Sequence, residues 1–131
     1  MNRIRIALVS AVFLTAVVFT PGCYEGTVVD LSSDLEITGD VSFSADVIPI
    51  FENSCSISGC HNTGGISPDL STANAYTSLS NGGYLDINNP ESSELYGYVS
   101  GALTPEMPIG GADPVIAATI LAWIEQGAQN N

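Results

Sequence analysis

Four side chains in this sequence have chemistry to offer beyond packing. Cys55 and Cys60 are separated by Ser56-Ile57-Ser58-Gly59, and His61, the only histidine, follows Cys60 directly. Met107 is the only methionine besides Met1 and lies in Thr104-Pro105-Glu106-Met107-Pro108. Two thiols in an oxidising compartment can close a disulfide, leaving His61 as a surface residue. Two thiols, an imidazole and a carboxylate such as Glu106 can hold zinc, although adjacent Cys-His is awkward around one metal and the spacing matches no common zinc module. Two thiols can also form thioethers with the vinyl groups of a haem, with the adjacent imidazole then held beneath the iron. The thioether of Met107 is a soft, neutral donor that could serve a metal. Its plain alternative is a core methionine.

Cys-His is the downstream half of the usual C-x-x-C-H attachment pattern. Four residues stand between the cysteines here instead of two. Small residues (Ser56, Ser58, Gly59) suit a loop that bulges outward without moving the Cys60-His61 end.

The elements that must position these residues read as short helices. Ser44 or Asp46 can cap a first helix running to about Asn53, and Pro49 fits its first turn, which makes Asp46 the plausible cap. Val47, Ile50 and Phe51 then share one face. Residues 72–79 read as a second helix capped by Ser71 and ended by Asn81-Gly82-Gly83. Residues 94–100 read as a third, capped by Ser92 or Ser93 and ending at Gly101. The last has Asp113 as N-cap, Pro114 at the first helical position and Gly127 closing it. Its Ile116, Ile120, Trp123 and Ile124 recur at helical spacing. There is no strand-like alternation and no internal repeat. The expected fold is all-α, three to four short helices with long polar loops at 62–70 and 103–112. So small a domain buries a modest share of its surface, and something else is needed to fill its middle.

Residues 41–128 resemble the small c-type cytochrome domains of bacterial envelope proteins. The resemblance runs through Val41-Ser42-Phe43-Ser44-Ala45-Asp46-Val47-Ile48-Pro49-Ile50-Phe51, then Cys60-His61, Asp69-Leu70-Ser71 with Ala75-Tyr76, and Asn89-Pro90-Glu91-Ser92-Ser93-Glu94-Leu95-Tyr96. Met107-Pro108-Ile109-Gly110-Gly111 and Ala122-Trp123-Ile124-Glu125-Gln126-Gly127-Ala128 complete it. It implies a cytochrome c-like domain around one covalent haem c. Cys55 and Cys60 would carry the thioethers, with His61 and Met107 as axial ligands. The first and last helices would pack across each other. Phe43, Phe51, Leu70, Tyr76, Leu95, Tyr96, Ile109 and Trp123 are candidates for the apolar shell. The implied role is single-electron transfer and not catalysis. A displaced Met107 would instead leave an open site suited to a peroxidase-like enzyme or a sensor.

The rest of the chain says where such a domain works. Residues 6–19 form an apolar run after Arg3 and Arg5, too short to span a membrane comfortably and right for a secretory signal. Gly22-Cys23 then resembles the lipobox of bacterial lipoproteins. That resemblance implies a signal peptide at 1–22, a lipid on Cys23 and an envelope location, with an outer-membrane anchor. Residues 24–40 read as an acidic tether, with at most a short strand at 27–31, and 41–131 as the cytochrome-like domain. The chain holds 14 Asp and Glu against 2 Lys and Arg, and both arginines precede the cleavage point. Nucleic-acid binding, which needs cations against phosphates, is excluded. Expected partners are redox proteins with basic docking surfaces. Without haem, the sequence would describe a disulfide-stapled acidic lipoprotein of structural or adhesive role.

Overall fold

The computed structural model of the protein describes residues 35–131. The signal segment, Cys23, the strand considered at 27–31 and most of the tether lie outside the described residues. Those described are helical, with no strand among them.

A π-helical turn, Phe43–Val47, leads into α1 (Ile48–Ser54). Pro49 has no N–H to offer an i−4 carbonyl, and the wider turn falls directly ahead of it. The cap is Ser42, earlier than the expected Ser44 or Asp46. Ser42 Oγ accepts from Ala45 N at 3.2 Å, and the Asp46 carboxylate reaches back to accept from Ser42 N at 2.8 Å. This is a capping box stretched by the π turn. Asp46 serves the helix start from inside it.

Helix α2 (Ala75–Gly82) begins later than residue 72. The hydroxyl of Ser71 is engaged elsewhere, accepting from Thr63 Oγ1 at 3.0 Å and donating to Asp69 Oδ1 at 2.6 Å, and it caps no helix amide. Gly83, at φ 79°, ends the helix in the left-handed conformation, as the Asn-Gly-Gly run implies. A 3₁₀ turn, Pro90–Ser92, precedes α3 (Glu94–Val99). Ser93 stands at its N-cap without capping it. Its buried hydroxyl instead accepts from Asp86 N at 2.8 Å and ties the preceding loop to the helix. Helix α4 (Pro114–Glu125) matches expectation at both ends. Asp113 Oδ1 accepts from Val115 N and Ile116 N, and beyond the helix Ala128 N returns to Trp123 O at 2.9 Å.

The core forms where the π turn packs on α4. Val47, Phe51, Ile120, Trp123 and Ile124 are all buried there. The Phe43 ring lies 5.1 Å from that of Trp123 and edge-on to Phe51 and Tyr76. Trp123 keeps its indole N–H satisfied by donating to Gln129 O at 2.9 Å. Helices α2 and α3 add Ala75, Leu79, Leu95 and Val99.

Both flanks of the domain are tied to this core. Ile37 packs against it, and Gln126 bonds Gly39 O and Val41 N. At the other end, Asn131 Oδ1 accepts from Phe43 N at 2.7 Å and Asn131 O from Ser44 N at 2.9 Å. Those are amides with no partner inside the helix. Deleting Asn130 and Asn131 should therefore cost about 1–2 kcal/mol, the scale of a lost cap. A lowered midpoint in urea unfolding, at unchanged slope, is the expected result. An unchanged midpoint would show the tie to be idle.

Candidate cofactor cavity

Helix α1 delivers Cys55 at its C-terminal end, where Cys55 N still bonds Phe51 O at 2.9 Å. The chain then loops out and returns, with Cys60 N on Ile57 O and His61 N on Cys55 O at 3.1 Å. This brings His61 back beside Cys55 and leaves Ile57, Ser58 and Gly59 exposed, as an outward bulge requires. Both cysteines are free thiols, Cys55 buried and Cys60 half-buried. Burial pushes the Cys55 thiol up from an ordinary 9.0 to about 11, and the neighbouring Cys60 adds to the rise. Cys55 is therefore a slow nucleophile at neutral pH, because the thiolate is the reactive form. In haem-free protein, alkylation of Cys55 followed by mass spectrometry should climb with pH toward a midpoint near 11. Rapid modification at neutral pH would contradict its burial.

The loop after His61 folds back onto it. Ile66 N bonds Cys60 O at 2.7 Å and Leu70 N bonds His61 O at 2.7 Å. The imidazole Nδ1 lies 3.2 Å from Ile66 O and 3.1 Å from Pro68 O. Carbonyls only accept, so Nδ1 carries the proton. Nε2 is the ring nitrogen left over, with no hydrogen-bond partner among the described residues. Fixing one ring nitrogen so that the other faces a metal is how proteins orient histidine ligands.

Asp69 secures this loop. Its Oδ1 accepts from Ser71 Oγ and Ser71 N, and its Oδ2 from Asn74 Nδ2 at 2.9 Å; Thr63 Oγ1 donates to Ser71 Oγ at 3.0 Å. The Ser71 hydroxyl first, then the Ser71 amide, hold the Asp69 carboxyl below the usual range. A carboxyl lowered by folding contributes stability above its unfolded value and loses that contribution as pH falls. Asp69→Asn should flatten the acid side of the stability–pH curve, measured by thermal unfolding from pH 7 down to pH 2. A parallel curve would show that these bonds are immaterial.

Met107 comes from the loop between α3 and α4, which is stapled to α3. Leu103 N bonds Gly97 O at 2.8 Å and Met107 N bonds Tyr98 O at 3.0 Å. The Leu103 side chain rests on Gly97, where a Cβ would sit 2.7 Å from Leu103 Cδ1 and push that side chain aside.

Cys55, Cys60, His61 and Met107 line one cavity of about 320 Å³. That size is ordinary for a small-molecule or cofactor site. Its walls are mostly apolar, with Ile66, Pro68, Leu70, Leu95, Val99 and Ile109 among them. Of the expected shell, Leu70, Leu95 and Ile109 line it. Phe43, Phe51, Tyr76, Tyr96 and Trp123 do not, because they pack into the protein's own core. Tyr84 and Tyr98 line it and were missed. Tyr98 and Val99 follow Leu95 at i+3 and i+4 on α3, a signal that was available. Tyr84 carries no such signal. Glu106 is exposed, does not line the cavity and accepts weakly from Ala112 N instead. Glu106 thus stands apart from Cys55, Cys60 and His61, and no group of three His, Cys, Asp or Glu side chains placed to hold a metal ion is found among the described residues.

The donors present fit a group that takes two thiols, one imidazole nitrogen and one thioether in an apolar cavity. No family model matches the chain, and no curated protein or solved structure matches it either.

Proposed function

We propose that this protein is an exported monohaem c-type cytochrome that carries single electrons between redox proteins of the cell envelope. One observation carries the reading. Two free thiols and the sole histidine, neighbours in the chain, line the same apolar cavity as the distant Met107, and the imidazole is already held by its Nδ1.

Cys55 and Cys60 would hold haem c through thioethers, with His61 Nε2 as proximal and Met107 Sδ as distal ligand. Bound there, the haem supplies an iron that alternates between ferrous and ferric, at a potential raised by His/Met ligation. The chain's own residues do the rest. Ile66 and Pro68 carbonyls fix the imidazole plane and strengthen its lone pair. The staples from Gly97 and Tyr98 hold the methionine loop in place. With a haem seated, the apolar walls would shield it from water and Met107 would leave no open position for a substrate, which suits electron transfer over catalysis.

Cys23 would carry the lipid anchor, with the acidic segment after it as a tether. Residues 35–131 contain carboxylates and no Lys or Arg. Such a surface suits partners with basic docking faces, and association would slow as salt screens the attraction.

The test uses full-length protein matured in a host competent for c-type cytochromes. Haem that survives a denaturing gel, with a weak long-wavelength band of methionine ligation in the oxidised spectrum, is the expected result. Covalent haem without that band would move the reading to an enzyme or sensor. A colourless protein with Cys55 joined to Cys60 would sink it in favour of a structural lipoprotein, provided a control with the same cysteine spacing is matured.

A further inference from the structure

A haem has two propionate carboxylates, and this domain has no lysine or arginine to pair with them. The one carboxylate lining the cavity, Glu94, would repel them. A carboxylate drawn from water without a cation needs hydrogen-bond donors instead. The cavity wall offers one adjacent pair: Ser67 Oγ lies 3.4 Å from Tyr84 OH. Both are held on the frame of the site. Ser67 sits between Ile66 and Pro68, whose carbonyls grip His61. Tyr84 O accepts from Leu95 N at 3.1 Å, and the Tyr84 ring lies on Gly82, where any Cβ would collide with it. Tyr84 is half-buried and Ser67 exposed, so the pair marks the cavity edge, where a charged arm keeps part of its water.

Resting on the haem reading above, we propose that the Ser67–Tyr84 hydroxyl pair is the seat of a haem propionate, bound by neutral donors in a domain without cations. Each hydroxyl turns its hydrogen outward to the same carboxylate. The charge stays uncompensated near the iron and favours the ferric state, opposing the pull of Met107. Losing either donor localises that charge further.

The test compares Tyr84→Phe, Ser67→Ala and the double variant in haem-loaded, full-length protein. Tyr76→Phe serves as the control, since it removes a hydroxyl outside the cavity. Midpoint potentials at fixed salt and mildly alkaline pH are read together with redox-difference infrared spectra, the propionates being isotope-labelled. Tyr84→Phe and Ser67→Ala are expected to shift the propionate carboxylate bands and lower the potential, with less than additive effects in the double variant; Tyr76→Phe moves neither. Propionate bands identical to wild type in Ser67→Ala and Tyr84→Phe overturn the proposal and leave the cytochrome reading intact. A wild-type protein without covalent haem overturns both. Should Tyr84→Phe fail to load, Ser67→Ala, which removes a single exposed hydroxyl, decides alone.

Discussion

Met107→Ala should turn a reduced protein that ignores carbon monoxide into one that binds it stoichiometrically. The same change should lower the midpoint potential by on the order of tenths of a volt, the scale on which axial ligands act. The reason lies in how the loop is held. Its backbone is fastened to α3 by Leu103 N to Gly97 O and by Met107 N to Tyr98 O, neither of which uses the methionine side chain. Truncation therefore removes the thioether and leaves the loop in place. Met107 is half-buried, so the stability lost stays below the roughly 2–5 kcal/mol of a fully buried Met→Ala change. An optical titration of the dithionite-reduced protein with carbon monoxide reads the result. A wild type that already binds the gas would show that Met107 is not a ligand.

Gly65→Ala should damage the site more than any other single methyl group added to the 62–70 loop. At Gly65 a Cβ would run into the Cys60 carbonyl oxygen, with Asn62 Oδ1 at 2.8 Å and Asn62 O at 3.0 Å. The obstruction is mainly backbone, which cannot swing aside. Moving Cys60 O breaks its bond from Ile66 N, and Ile66 O is one of the two oxygens that hold His61. Moving Asn62 releases Gly59 N from Asn62 Oδ1 in the bulge between the cysteines. Overpacking of this kind costs about 1–3 kcal/mol. Urea unfolding of haem-free protein reads the loss without reference to haem, and haem content per chain reads its effect on the site. Gly64→Ala is the comparison. Nothing lies within 4 Å of its Cβ, and only the positive φ of 80° opposes it, so about 1 kcal/mol is expected. Equal stability of Gly65→Ala and wild type would refute the close approach.

How far the sequence could be read follows from the range of the forces involved. Helix α4 was legible at both ends because Asp113, Pro114 and Gly127 act within a turn of where they stand. Ser71 and Ser93 misled because serine hydroxyls serve competing backbone and side-chain partners. Ser71 bonds Asp69 and Ser93 bonds Asp86, contacts that depend on where two loops lie. Ser42 was overlooked because a π turn displaced the start of the helix.

The same division runs through the site. Cys55, Cys60 and His61 are covalent near-neighbours, so their spacing alone marks a reactive set, and Met107 stands out by being solitary. Which aromatic rings face the core and which face the cavity is not written in any window of residues. Phe43 and Trp123 share with Tyr84 and Tyr98 the same apolar bulk. Only the packing of the π turn on α4 sends the first pair inward and leaves the second pair to line the cavity. The protonated nitrogen of His61 is a sharper case. It is chosen by two backbone carbonyls, and carbonyls are common to every residue. The sequence by itself thus determined the reactive set and the helices that carry it, because those depend on side-chain identity over short range. Tertiary structure alone decided the tautomer, the walls and the staples of the methionine loop, because those depend on backbone atoms and rings brought together from distant parts of the chain.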